Sequence, residues 1–407
     1  MKTLKPLLLT FSLLFAFTTN AMEDALENHE DISNGINQFA FLFSNDLLTK
    51  HENYTFSPLS INLALSMVFL GAKGESKVEF GKIFGNSDNF HQHFGQLVNN
   101  INDKDRAPTK TSFKISNNIW LQNGITLLKD YQNVLATSYG AEKVRHLDFK
   151  HDAQTSTAQI NKSISTDTND EIPKLLKETV SNQTRLILTN ALYFNAFWQK
   201  QFIEDSTYDG DFHKAEGQAI SARYMCQGGK YSYGEDSTSQ YLLMPYKDQD
   251  FATLFVLPRE GESISNFTMD VEKFNNILKT MSSKNMSIRL PKFNQRTSPN
   301  VKEFLVDLGL GSIFDEKSAD FSGITGSKDL FVGDIVHEAV VKIYEAGTTA
   351  AAATAVLMMG PTSIRPIEQE VIDFHVTRPF FYYILHKPTN MILFMGRIMH
   401  PLDQDND

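Results

Sequence analysis

A single cysteine, Cys226, stands in 407 residues. No internal disulfide can form, so the fold must hold by packing alone. A lone thiol is more often core packing than a nucleophile. Basic charge is also short. Lys and Arg number 38 against 48 Asp and Glu, for a formal net charge of -10, and a broad nucleic-acid binder needs the opposite sign. No apolar run spans a bilayer comfortably, and the run near the C-terminus is split by a polar proline turn. There is no G-x-S-x-G elbow, no Walker loop, no H-E-x-x-H and no paired C-x-x-C. His91 and His93 would share a metal on a strand, but Phe90 and Phe94 carry helical spacing and place both histidines on a solvated helix face. Asp148 and Asp152 have no visible partner. No metal, no cofactor and no enzyme activity is expected, because no catalytic constellation can be assembled.

What is present is a large apolar fraction, 41%, enough for one large core. Lys2 and Lys5, then the apolar run Leu7 to Phe17, then Thr19 to Ala21, read as an export signal over 1–21 with Met22 as the first mature residue. The expectation is one domain over 22–407 in a secreted protein, periplasmic if the source is bacterial. Five sequons, at Asn53, Asn161, Asn182, Asn266 and Asn285, are candidate N-glycosylation sites.

Ile32, Ile36, Phe39, Phe43 and Leu47 recur at helical steps. Ser57 and Pro58 predict an N-cap and first turn, with Leu63, Met67 and Leu70 continuing to Gly71. Leu127 to Leu135 predicts a helix stopped near Gly140, and Ser298-Pro299 predicts one opening there and closing at Gly309. Buried strands are expected over Arg185 to Phe194 and Phe251 to Leu257, and an alternating strand at Met286, Ile288 and Leu290. Phe380 to Leu385 and Met391 to Met395 predict a buried hairpin. With no repeat and no linker tract, helices early and strands later predict an α+β fold.

The segment Glu345 to Ala355, Glu-Ala-Gly-Thr-Thr-Ala-Ala-Ala-Ala-Thr-Ala, admits two readings. Its alanines favour a helix. Gly347 and the β-branched Thr348, Thr349 and Thr354 favour a strand. On a strand Thr348, Ala350, Ala352 and Thr354 share one face, all small and uncharged, and can enter a sheet without burying a charge.

Several blocks resemble the serpin family of protease inhibitors. They are Asn53 to Ser60 with Phe69 to Gly74, Ile115 to Trp120, Thr189 to Phe194 with Trp198, and Leu290 to Phe293. Ala319 to Gly323, Val336-His337, and Phe380 with Phe394 to Arg397 follow in family order. The resemblance implies three β-sheets, eight or nine helices and one exposed reactive loop, about 345–368. It implies a shutter of Ser57, Ser60, Asn190 and His337, a breach tryptophan at Trp198, and a hinge at Glu345, Gly347, Thr348, Ala350, Ala352 and Thr354. Ala346 and Thr349 depart from charged residues common in the family.

Counting as the family does puts the reactive bond between Pro361 and Thr362. Met358, Met359 and Gly360 are chemically better bait for an elastase-like, chymotrypsin-like or cysteine protease, and Arg365 would suit a trypsin-like one. The partner implied is a target protease, met by a monomer. Glycosaminoglycan activation is not expected, since Lys82, Lys104, Arg106, Lys110 and Lys114 are interleaved with acids. The alternative is a non-inhibitory serpin acting as carrier, chaperone or storage protein.

Overall fold

A computed structural model describes residues 29–85, 87, 89–101, 111–140, 144–348 and 370–402. The proposed export signal, Ala350 to Thr354 and the bait residues Met358 to Thr362 lie outside the described residues.

The first apolar stripe forms α1 (His29–Lys50) and buries Ile32, Ile36, Phe39, Phe43 and Leu47. In α2 (Pro58–Phe69) the Ser57 side chain accepts from the Ser60 N–H, and proline opens the helix. Every residue of α2 is buried, so it is a central rod rather than an amphipathic surface helix. Then come α3 (Gly74–Phe84), α4 (Phe90–Ile101), α5 (Lys129–Tyr139) and α6 (Ala153–Asp167). Later helices are α7 (Val271–Thr280), α8 (Val301–Asp307) and the short α9 (Ser322–Thr325), giving nine α-helices among the described residues. The helix expected at Ser298 begins at Val301 instead. The Asn300 side chain accepts from the Glu303 N–H and takes the N-cap, while Ser298 Oγ is turned to the His337 carbonyl.

The strands form two hydrogen-bonded sheets. The nine-stranded sheet contains β1 (Tyr54–Phe56), β5 (Tyr208–His213), β6 (Ala219–Glu235), β7 (Ser239–Pro245), β8 (Phe251–Pro258), β9 (Ser282–Pro291), β13 (Val371–His375), β14 (Phe380–His386) and β15 (Met391–Ile398). β6 changes partner along its length, with residues 219–224 on β5, 224–233 on β9 and 232–235 on β7. The expected three sheets are therefore the smaller sheet and two parts of this larger one that share β6.

The six-stranded sheet runs β10 (Phe293–Thr297), β11 (Asp334–Ile343), β12 (Gly347–Thr348), β4 (Leu186–Phe197), β2 (Thr111–Gln122) and β3 (Val144–Leu147). One of its faces lies on the main core, through Leu188, Leu192, Phe194, Ile335, Ala339 and Val341. The other carries α6, whose Ile160 and Ile164 pack with Trp120, Ile187, Ala191 and Val340.

Candidate functional site

β4 and β11 run parallel along most of their length, with Asn190 opposite His337 and Tyr193 opposite Val340. At the upper end they part, and β12 enters between them. Gly347 and Thr348 pair antiparallel with Phe197 and Ala196 on β4, and Thr348 pairs with Ile343 on β11. Ala196 and Ile343 therefore face each other across Thr348 with the same offset that joins Asn190 to His337. The seam opens by sideways parting, with no slip of one strand along the other.

Thr348 is fully buried, and its Oγ1 lies 2.6 Å from the Tyr246 hydroxyl, which also meets Thr253 Oγ1 at 2.6 Å. Tyr246 stacks on Trp198 with centroids 4.5 Å apart. The Trp198 ring N–H donates to the Tyr344 carbonyl at 3.0 Å and its backbone N–H to the Ala346 carbonyl at 2.9 Å. At Gly347 a Cβ would drive into the Ala196 carbonyl oxygen and lie 2.7 Å from Phe197 Cα. Only glycine permits so close an approach. Glu345 fixes the turn before it, accepting from Thr207 Oγ1 at 2.7 Å and pairing with Lys292 at 3.2 Å. Burial pushes its carboxyl up, but the hydrogen bonds from Thr207 and Lys292 outweigh this and hold it below the usual range.

Lower in the seam sits a polar cluster with no exposure to water. The Ser57 N–H donates to His337 Nε2 at 3.1 Å. That nitrogen must be unprotonated, so Nδ1 carries the hydrogen and donates to Asn190 Oδ1. The Asn190 amide donates in turn to Ser60 and to Asn117 Oδ1. Ser60 Oγ donates to Asn117 Oδ1 at 3.0 Å, and Asn117 Nδ2 returns a bond to the Ser60 carbonyl at 3.0 Å. Burial lowers the His337 pKa to about 3, keeping it neutral. These groups tie α2 to β2, β4 and β11, so each must re-pair if the strands part.

The structure thus brings Ser57, Ser60, Asn190 and His337 together, and separately brings Glu345, Gly347, Thr348 and Trp198 together at the upper end. Sequence reasoning missed Asn117 in the first group and Tyr246 in the second. The expectation of a solvated His91 is corrected: its Nδ1 meets the Tyr139 hydroxyl at 2.7 Å beside Phe69 and Phe90, and burial lowers its pKa to about 4. Cys226 is only half-buried, on β6, and burial pushes its thiol up, the wrong direction for a nucleophile.

The sequons divide. The Asn53 amide donates to the His400 carbonyl at 2.7 Å and the Asn161 amide to the Leu176 carbonyl at 2.9 Å. Asn285 is half-buried, and Asn182 and Asn266 are exposed.

The family model described as Serpin (serine protease inhibitor) matches residues 34–401. An uncharacterized serpin-like protein of Thermococcus kodakarensis is 31% identical over 377 residues, covering 91% of this chain and 86% of that protein. Leukocyte elastase inhibitor A of Mus musculus is 31% identical, covering 86% of this chain and 93% of its own. Antithrombin-III of Homo sapiens is 30% identical, with 91% and 82% covered. Among solved structures, maspin superposes with a TM-score of 0.82 at 23% identity, covering 94% of this chain and all of that one. Human thyroxine-binding globulin, solved in complex with thyroxine, gives 0.80 at 24% identity, covering 92% of this chain and 100% of that one.

Proposed function

This chain belongs to the serpin family, and from that premise we propose that it traps a protease by drawing its cleaved reactive loop into the seam between β4 and β11. The observation that carries the reading is the strand Gly347–Thr348, already seated at the head of that seam. Continued in the same register, Ala350 would fall opposite Phe194, Ala352 opposite Leu192, and Thr354 between Asn190 and His337. These positions face the main core, where only small uncharged side chains fit. Thr354 alone would meet a polar pair, and it alone of the three carries a hydroxyl to bond it.

The protease's serine or cysteine nucleophile attacks the scissile carbonyl carbon. Its proton passes by the protease's base to the leaving amine, the peptide bond breaks, and the loop is held as an acyl-enzyme. A strand of about 12 residues, at about 1 kcal/mol net per hydrogen bond, gains on the order of 10 kcal/mol, which rivals the stability of a whole domain. Insertion that outruns hydrolysis drags the attached protease and deforms it.

The bait is Pro361-Thr362 by family counting, or the bonds after Met358 and Met359 by chemistry. An elastase-like or chymotrypsin-like target, serine or cysteine, fits the latter, in keeping with the name of the mouse relative. We place the protein outside the cell, exported by residues 1–21, as a monomer, with Asn182 and Asn266 as the sequons open to a glycan. Glycosaminoglycan, membrane and nucleic acid have no part in this reading. The non-inhibitory reading draws on thyroxine-binding globulin, a carrier by name with the same fold.

The test is incubation with a panel of proteases, followed by N-terminal sequencing of the released fragment. SDS-stable complexes with a fragment beginning at Met359, Gly360 or Thr362 are expected. Cleavage with no complex and no gain in thermal stability would leave the carrier reading standing.

A further inference from the structure

The turn that follows Trp198 holds the hinge. The Trp198 N–H donates to the Ala346 carbonyl and the Phe202 N–H to the Glu345 carbonyl, both at 2.9 Å. The Gln201 amide adds a bond to the Ala346 carbonyl at 3.3 Å. The Gln199 N–H ties the same turn to the Pro245 carbonyl of β7 at 3.0 Å. Between these attachments Lys200 lines a cleft of about 410 Å³. The cleft is bounded by this turn, β6, the end of β7, the start of β9 and the β14–β15 turn. That volume lies in the range of small-ligand sites.

Three lysines from segments far apart in the chain line this cleft: Lys200, Lys230 of β6 and Lys387 of the β14–β15 turn. No Asp or Glu lines it. The whole chain carries 48 acids against 38 bases, so a cleft lined by cations alone runs against the chain's own charge. Lys200 Nζ donates to the Gly228 carbonyl, which leaves two of its three N–H bonds unused. Among the described residues no side chain pairs with Lys230 or Lys387. Asp250 meets Lys387 backbone to backbone, its carbonyl accepting the Lys387 N–H at 2.7 Å. Tyr231 forms the wall beside the lysines. It is 8% exposed, and its hydroxyl is buried with no hydrogen-bond partner among the described residues. A buried hydroxyl is ordinarily paired. Gly229 shapes the corner: a Cβ there would lie 3.2 Å from Lys200 Nζ and 3.3 Å from Tyr231 Cε2. Glycine thus leaves room for the ammonium to lie beside the phenol ring.

Such a cleft calls for an anion with at least one negative charge for each ammonium, and with oxygens enough to accept several N–H bonds. Phosphate oxygens meet both needs, and lysine binds them as a point charge. The enclosed shape suits a short chain of phosphates. A long polyanion would need a stripe of cations on an open face. We propose that the cleft of Lys200, Lys230 and Lys387 binds a compact oligophosphate, and that the bound anion clamps the turn that carries the hinge. Lys200 is the link, placed two residues from both Trp198 and Phe202, whose N–H groups hold the hinge carbonyls.

The test titrates the full, uncleaved chain with sodium tripolyphosphate at physiological salt, followed by calorimetry. One saturable site is expected. K230M and K387M should each weaken it about tenfold, the scale of one lost charge-assisted hydrogen bond. Both lysines are exposed, so neither change threatens the fold. K82M, which removes an exposed lysine of α3 outside the cleft, should leave binding unchanged. Ligand at about 100 times its Kd should raise the melting temperature by on the order of 3 °C. Hydrogen exchange at the Trp198 and Phe202 amides should slow about fivefold in the bound protein. No saturable binding, or equal weakening in K82M, would overturn the site. A heparin oligosaccharide that binds where tripolyphosphate does not, and is weakened by the same two variants, would overturn the ligand class. Binding with unchanged exchange at Trp198 and Phe202 would overturn the clamp. None of these outcomes bears on loop insertion, because no cleaved loop takes part.

Discussion

His337 and Asn190 face each other from adjacent parallel strands, and the imidazole Nδ1–H donates to the asparagine oxygen across the line along which the sheet must part. The bond is intact with Thr348 already buried above it. The seam is therefore open at its head and closed at its middle.

The buried neutral imidazole makes stability depend on acid. The unfolded histidine titrates near 6.5, and burial lowers the folded value to about 3. Between those values the unfolded chain binds the extra proton, so stability is full above about pH 6.5 and falls as pH drops toward 3. His91, lowered to about 4 by burial, adds to the same slope. His337→Gln should cost about 2–3 kcal/mol at pH 7, the scale of an unmet buried polar group, and should flatten the slope between pH 4 and 6. Urea unfolding at several pH values measures both, and an unchanged slope would show that His337 is not the titrating group.

Thr348→Arg places a guanidinium where the hydroxyl now meets Tyr246. An unpaired charge there costs several kcal/mol, so the hinge should stay outside the seam and the protein should be cleaved as a substrate. SDS-stable complexes should fall at least tenfold, read on a gel against a protease that the unmodified chain traps. Undiminished complexes would sink the insertion reading.

Gly347→Ala acts one residue earlier and by shape alone. The new methyl meets the Ala196 carbonyl, which should expel β12 from the sheet. Trp198, whose backbone N–H is bonded to the Ala346 carbonyl, would then gain water. Its emission should shift to the red, with Trp120 as the only other contributor. An emission spectrum matching the parent would mean that the seam tolerates the methyl.

Cleavage of the loop by a protease that is not trapped should raise the melting temperature by on the order of 20 °C, given about 10 kcal/mol of added strand pairing. Scanning calorimetry before and after nicking reads this directly. No rise would favour the carrier reading.

Much of this could be read from the residues. The stripe at Ile32 to Leu47, the cap at Ser57-Pro58 and the final hairpin are local signals, and each became the expected element. Of the hinge face only Thr348 lies among the described residues, and it is buried at the head of the seam. Asn117 was missed because Ser116, Asn117 and Asn118 are all polar, and alternation cannot say which of them turns inward; only pairing with β4 aims Asn117 at Asn190. Tyr246 lies at an isolated bridge to Trp198, outside any strand, and nothing nearby marks it as the lid on Thr348. His91 borders its helix's apolar stripe, and what covers it is Tyr139, far along the chain. Asn300 outcompeted Ser298 because tertiary contact claimed the serine hydroxyl. The misses share one cause: the deciding partner was distant in sequence.

The hairpin of β14 and β15 carries a consequence for synthesis. β15 lies between β1 and β14, inside the larger sheet. Arg397 donates to the carbonyls of Leu48, His51 and Glu52 at the end of α1, and Asn53 is bonded to residues 399 and 400. Among the described residues, the first helix is thus stitched to the last strand. A ribosome adding about 5–20 residues per second must finish the chain before α1 has its seat. Until then the apolar faces of α1 and β8 stay open to water, a window in which a chaperone or a neighbouring nascent chain can bind them. A message truncated before Met391 would lose more than a tail, because β1 would have no strand to join it to the sheet.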